Sequence, residues 1–305
     1  MSAPQATRMS LHAWLVTDDV TSARQAKLGR AYRAWRELVA NPLAFGGALF
    51  VLLLILLAVF APWIAPYNPN AQDLAAALRP PSGVNWFGTD EYGRDVFSRI
   101  LFGARTTLYT SLLVVVIVAP IGFLVGATAG YLGGWIDTIL MRITDIFLAF
   151  PGLVLALAFS AALGPGIENA VIAISLTVWP PIARLARAET LTVRNADYVV
   201  AAKLQGARMG RVLWRHIVPI CAPSIVVRLT LSMASIILTA AGLGFLGLGV
   251  QPPTAEWGAM AASGRQYLLD AWWLTTVPGV AILLVSLAFN LLGDGLRDIL
   301  DPRNG

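Results

Sequence analysis

Long apolar stretches alternate with short polar ones along this chain, and the apolar stretches have the length of membrane spans. Residues 44–61 carry no charge, close to the roughly 20 apolar residues that a helix needs to cross the hydrocarbon. Further spans are predicted at 108–131, 139–163, 170–182, 217–250 and 273–292. The fourth reaches spanning length only if its helix continues past Pro180 and Pro181 to about Arg187. The fifth is too long for one straight crossing; Pro223 and the glycines from Gly242 to Gly249 are its expected breaks. A cleaved signal peptide does not fit the first stretch, because too many residues precede it and later stretches are as apolar. The pattern therefore predicts an all-α, polytopic membrane protein with about six transmembrane helices.

Composition agrees. Of 305 residues, 57% are hydrophobic and 13% charged, against about 25% charged in an ordinary soluble domain. The mean hydropathy is +0.69 and the pI about 9.7. The positions of the basic residues decide what that pI means. If six spans put both ends on one side, that side carries sixteen Lys and Arg and the other five. The positive-inside rule then places both termini and the 184–216 segment in the cytoplasm. The excess is a topology signal, and no aromatic-interleaved basic patch suggests nucleic acid. Cys221 is the only cysteine, and His12 and His216 are the only histidines. There is no material for a disulfide or cysteine metal cluster, and almost none for a histidine metal site or a Ser-His-Asp triad. No catalytic or metal-binding residue is predicted.

The expected organisation has a cytoplasmic lead over 1–43, whose basic stretch 27–36 suits a surface helix on anionic headgroups. A first transmembrane helix over 44–66 and an extracytoplasmic loop over 67–104 follow. Pro69, Pro80, Pro81, Gly83 and Gly88 make that loop a compact lid. The core spans 105–295 and contains a cytoplasmic loop at 190–219; 296–305 is a cytoplasmic tail.

Gly122, Gly126 and Gly130 recur every fourth residue in the second span and mark a face for close helix packing. Gly242, Gly244 and Gly247 satisfy a GxGxxG pattern, but no βαβ unit surrounds them, so nucleotide binding is not expected. Arg142 with Asp145, and Asp294 with Arg297, are spaced i, i+3 and read as self-neutralising pairs at helix ends. Arg228 has no acidic residue within a turn or two, which makes it a candidate translocation-path residue or a structural one. In the 184–216 segment, Asp197 is expected to cap a helix from Tyr198, with Ala201 and Ala202 as small residues and Gly206 as its αL stop. A second short helix is expected over 207–216. A helix–Gly–helix unit of this kind suits docking into a groove on a partner.

At this loop the sequence resembles the EAA loop of binding-protein-dependent ABC importer permeases. Ala201, Ala202, Gly206, Ile217 and Pro219 match its pattern, while Val200 stands where that family carries glutamate. Trp86-Phe-Gly-Thr-Asp-Glu-Tyr-Gly-Arg-Asp-Val-Phe-Ser-Arg99, the segment from Phe245 to Met260 and that from Phe289 to Pro302 are similar to the C-type permease of dipeptide, oligopeptide and nickel importers. A departure is the lack of an acidic residue near Ala240. The resemblance implies the type I importer permease fold, a homologous B-type permease as partner, two ATPase subunits and an extracytoplasmic solute-binding protein. It implies an ATPase-coupling loop containing Asp197, Tyr198, Val200, Ala201, Ala202, Gly206, Ala207, Ile217 and Pro219. ATP and Mg would be bound by the ATPases, and no cofactor by this chain, which has no Walker-type GxxxxGK[ST]. Nickel or another small solute is the alternative cargo. A stand-alone channel or secondary carrier would call for paired acidic residues at mid-membrane, and Asp145 and Asp294 lie too near the span ends.

Overall fold

The computed structural model describes Trp14, Leu15 and residues 22–300; the rest of the predicted N-terminal lead up to residue 21, and residues 301–305 of the tail, lie outside them. Ser22 caps α1 (Ala23–Ala40) by accepting from the Gln25 amide at 3.1 Å. Asn41 then caps α2 (Pro42–Ile64), its Oδ1 accepting from the Leu43 and Ala44 amides with Pro42 in the first turn. An irregular segment leads to α3 (Val96–Leu132). There follow α4 (Gly134–Leu148), α5 (Gly152–Leu163), α6 (Ile167–Val193), α7 (Asp197–Leu204) and α8 (Met209–Val212). A π turn over Leu213–Ile217 runs into α9 (Val218–Phe245), and α10 (Trp257–Gly264) and α11 (Trp273–Leu300) complete the chain.

Five helical stretches among the described residues are long and apolar enough to span a membrane, the fourth comprising α8, the π turn and α9. The sixth predicted span is not one straight helix. Over 139–163 the structure has α4 and α5, bent by 89° at their junction. Pro151 stands at the break as the N-cap of α5, and a proline disfavours the α region at the residue before it. In α6, by contrast, the helix passes through Pro180 and Pro181 and extends beyond Arg187 to Val193. Pro223 likewise sits inside α9 without ending it. The expected break near the glycines is real: α9 stops at Phe245 and Gly247 has φ +76°. The Gly247 amide donates to the Gly244 carbonyl and the Leu248 amide to that of Leu243, a Schellman stop. The GxGxxG pattern is therefore a helix terminus.

The glycine stripe of α3 faces α6. A Cβ at Gly122 would lie 2.8 Å from Ile182 Cβ, and one at Gly130 2.8 Å from the Arg187 carbonyl oxygen. At Gly126 it would run into the carbonyl oxygen of Ala183. Backbone on the far side cannot swing away as a side chain can. Gly126→Val is therefore expected to destabilise the protein by about 1–3 kcal/mol through overpacking, read as a lower melting temperature in detergent. Gly122→Ala, facing the Ile182 side chain, should cost less.

Two ion pairs set the register of α4 on α6. Arg187 Nη2 donates to Asp137 Oδ2 at 2.6 Å, and Arg184 Nη2 to Asp145 Oδ1 at 2.6 Å. Asp145 thus pairs across helices and not with Arg142, because a facing helix offers a guanidinium at better range than the neighbour three residues away. Asp294 and Arg297 form no ion pair either among the described residues.

One core gathers α3, α6 and α9 with Val199 and Val212. A second gathers α2, α3, α10 and α11. At the end of the bundle bearing residues 65–95, the predicted lid is compact and held by buried charge, but it is shorter than the predicted 67–104, because Asp95 caps a helix that already begins at Val96. Asp90 accepts from the amides of Tyr92 and Arg94 through Oδ1 and from Arg94 Nε at 2.6 Å through Oδ2, with Arg99 Nε at 3.5 Å. Arg99 Nη1 donates to the carbonyls of Pro69 and Pro253, tying the lid to the turn after α9. Asp95 caps α3 through the amide and hydroxyl of Ser98.

Candidate functional site

The opposite end of the bundle carries a short helix held out from the spans. After α6 ends at Val193, the Ala196 amide donates back to the Val193 carbonyl and the chain turns into α7. Asp197 is not the cap expected of it. Ala196 holds the N-cap position with no side-chain bond, and Asp197 stands in the first turn, where its carboxylate faces the helix's positive end. Lys203 occupies the last turn.

The stop is the predicted one. Gly206 has φ +81°, a conformation costing an L side chain roughly 1–2 kcal/mol. Its amide donates to the Lys203 carbonyl at 2.9 Å, and the Ala207 amide to the Ala202 carbonyl at 3.0 Å. These two bonds make a Schellman motif, with Ala202 and Ala207 as its outer pair.

Helix α7 has an inward and an outward side. Val199 is fully buried and joins a core with Val193, Val212, Leu213 and Ile217. Tyr198, Val200 and Ala201 are exposed, and Leu204 is 85% exposed. Exposed basic side chains at Arg208, Arg211 and Arg215 flank this apolar crest. Beyond α8 the backbone widens into the π turn Leu213–Ile217. Pro219, next in line, lacks an amide proton and would crowd the carbonyl four residues back in a regular helix; the wider turn makes room. Ile217 is buried as a core anchor, while Pro219 is exposed in the first turn of α9.

The crest is fastened to the bundle by polar contacts. Lys203 Nζ donates to the Arg194 carbonyl at 3.2 Å and lies 4.7 Å from the Tyr131 ring centroid. Arg194 Nη1 in turn donates to the Gly130 carbonyl at 2.8 Å, at the end of the glycine stripe. The Tyr198 and His216 rings stand 6.1 Å apart. These contacts tie α7 to α3 and to the end of α6. Sequence reasoning missed Leu204, Lys203 and Arg194. Leu204 could have been found by placing Val199 inward, since five residues further on a helix has turned well away from that side.

The structure places Asp197 to Ala207 on α7 and its stop, and Ile217 and Pro219 at the entry to α9; Arg228 is remote from them. That residue lies on α9 and opens onto a separate cleft. Glu256, at the other end, caps α10 through the Gly258 and Ala259 amides at 2.8 and 2.7 Å. Burial pushes its carboxyl above the ordinary carboxylate value, against the pull of those two bonds. What the exposed crest offers is an apolar knob with a basic surround, suited to a groove on another protein.

A family model described as "Binding-protein-dependent transport system inner membrane component" matches residues 119–305. A second, the N-terminal TM domain of oligopeptide transport permease C, matches residues 30–81. The probable D,D-dipeptide transport system permease protein DdpC of Escherichia coli is 48% identical over 95% of this chain and 97% of its own length. The di/tripeptide transport system permease protein DppC of Pseudomonas aeruginosa is 48% identical over 88% and 91%. The glutathione transport system permease protein GsiD of Escherichia coli is 47% identical over 88% and 89%. Among solved structures, a chain of the inward-facing MetNI methionine ABC transporter superposes with a TM-score of 0.53 at 18% identity. That match covers 66% of this chain and 96% of the other.

Proposed function

Because the chain belongs to the family of binding-protein-dependent transport system inner membrane components, we propose that it supplies one half of the translocation path of an importer of dipeptides or short oligopeptides. It is a membrane permease of an ABC importer and is not itself catalytic. A homologous B-type permease would complete the path, and an extracytoplasmic solute-binding protein would deliver cargo. Two ATPase subunits, which bind ATP and Mg, would sit on the side of α7. The distribution of Lys and Arg supports that side, and both termini, being cytoplasmic.

The observation carrying the coupling role is the exposed crest of α7. Leu204 would enter a groove on the ATPase, with Tyr198, Val200 and Ala201 beside it. Val200 in place of the glutamate of the loop pattern makes that contact apolar where an ion pair would otherwise stand. Closure of the ATPases would press on α7, and the Lys203–Arg194–Gly130 chain would carry the movement to α3 and α6. Such a shift needs the ATP-bound and ATP-free partners to favour different permease states. Peptides are supported as cargo by the names of the relatives above; nickel has no such support.

The test reconstitutes this chain with its partners and follows ATP-driven uptake of a labelled dipeptide. Leu204→Asp is expected to weaken ATPase association by about tenfold or more, as removal of an apolar hot spot does, and to lower uptake in step. Insertion should be unchanged, because Leu204 contributes little to the permease's own core. Full association and uptake by that variant would overturn the coupling role.

A further inference from the structure

Helices α6, α9 and α11 leave between them an open cleft of about 630 Å3 at the α7 end of the bundle. Helix α9 lines it with Ser224, Val227, Arg228 and Leu231, spaced i, i+3, i+4 and i+7, so one whole face of the helix looks into it. Glu189 enters from α6 and Arg297 from α11. Between α4 and α6, charges are matched, Asp137 with Arg187 and Asp145 with Arg184. Glu189, Arg228 and Arg297 form no ion pair among the described residues. Ionisable side chains within spanning helices are costly unless they serve a ligand or a path. Here one anion and two cations stand open to the same space.

That set is complementary to a zwitterion. Arg228 lies ten residues into α9, roughly 15 Å from its start at 1.5 Å per residue. Glu189 stands four residues from the end of α6, roughly 6 Å in. The difference in depth, roughly 10 Å, is what two or three extended residues span at about 3.3–3.6 Å each. Resting on the peptide reading above, we infer that this cleft holds a short peptide by its two termini on the exit side of the path. Arg228 takes the α-carboxylate and Glu189 the α-ammonium. The guanidinium offers a two-pronged match to a carboxylate, and Arg297, brought level with Arg228 by the packing of Gly293 on Leu231, offers a second such partner. Val227 and Leu231 give the peptide's side chains apolar wall without directional demands, so the termini are read and the residues between them are not.

The experiment uses the assembled transporter in nanodiscs without its solute-binding protein, and measures binding of Ala-Ala, Ala-Ala amide and N-acetyl-Ala-Ala by calorimetry. Arg228→Gln is expected to weaken Ala-Ala by about tenfold or more while leaving the amide unchanged, as loss of one member of a charge pair does. Glu189→Gln should weaken Ala-Ala comparably and leave the N-acetyl form unchanged. Glu189→Gln is isosteric, Arg228→Gln only shortens the side chain, and both face an open cleft, so folding is not at stake. Binding of Ala-Ala by both variants as by the parent, or no binding by the parent, would overturn the inference. A Ser224→Cys variant checks access: labelling by an impermeant maleimide from the cytoplasmic side is expected, and an unreactive thiol would mean that the partner permease fills the cleft. Uptake of labelled Ala-Ala with the binding protein present separates the two readings. No uptake by the parent complex sinks the peptide reading itself, whereas uptake with unchanged binding in the variants sinks only the terminus-reading cleft.

Discussion

Replacing Gly206 with valine is expected to lower ATP-driven uptake by about tenfold or more while the chain still inserts and pairs with its permease partner. A Cβ at Gly206 meets nothing within 4 Å, so the substitution creates no clash. Its cost is conformational. At φ +81° a β-branched residue is strained by roughly 1–2 kcal/mol, and every 1.4 kcal/mol shifts an equilibrium about tenfold. The chain relieves the strain by leaving the left-handed conformation. It then loses the Gly206 and Ala207 amide bonds that end α7, and the crest around Leu204 no longer holds one position. Gly206→Asn is the control, since asparagine tolerates this conformation and should keep most of the activity. Uptake and ATPase co-purification, measured side by side, check both variants. If valine transports as well as glycine, the fixed end of α7 has no part in coupling.

Replacing Asp90 with alanine is expected to destabilise the lid by about 3–5 kcal/mol, the range for removing one partner of a buried ion pair. Asp90, Arg94 and Arg99 have side chains no more than 7% exposed. Without the carboxylate, Arg99 loses its ion pair, Arg94 keeps only Glu91 at 3.7 Å, and the Tyr92 and Arg94 amides lose their acceptor. Arg99 also anchors the lid to Pro69 and Pro253, so its release should loosen the whole end of the bundle. Asp90→Asn keeps an acceptor for the two amides and should fall between parent and alanine variant. Asp145→Asn makes the contrast: its pair with Arg184 is about half exposed and should be worth at most about 1 kcal/mol. Thermal unfolding of the purified complex and protease cleavage of the 65–95 segment give the order. Equal stability of the Asp90→Ala and Asp145→Asn variants would show that burial of the network does not matter.

The same contrast shows why local spacing misled at some charges. Arg142 and Asp145 are three residues apart and look like partners, yet Asp145 reaches Arg184, 39 residues on. Helical spacing states which side chains share a face, and says nothing of a second helix that competes for them. Asp197 was misplaced by a single position, because the helix start depends on how the chain leaves α6 and not on which nearby residue makes the best cap. The 139–163 stretch reads as one span by hydropathy, which counts apolar residues and is blind to a right-angle bend at Pro151.

What the sequence determined by itself is whatever depends on chemistry local to the chain. Apolar runs marked where five spans lie, though not all their ends, since lipid demands that each backbone amide be satisfied within its own helix. Lys and Arg positions support a cytoplasmic side for both ends, and the Ala201–Ala202–Gly206 pattern marked the loop and its αL stop. The glycines at 122, 126 and 130 announced a close contact. Only the tertiary structure decided that the contact is with α6, that Leu204 stands exposed while Val199 is buried, and that Lys203 and Arg194 tie the crest to α3. It alone brought Glu189, Arg228 and Arg297 to one cleft, three charges from three helices. Such convergence is set by how helices pack side by side, and residues 39 and 69 positions apart along the chain carry no mark of it until they meet.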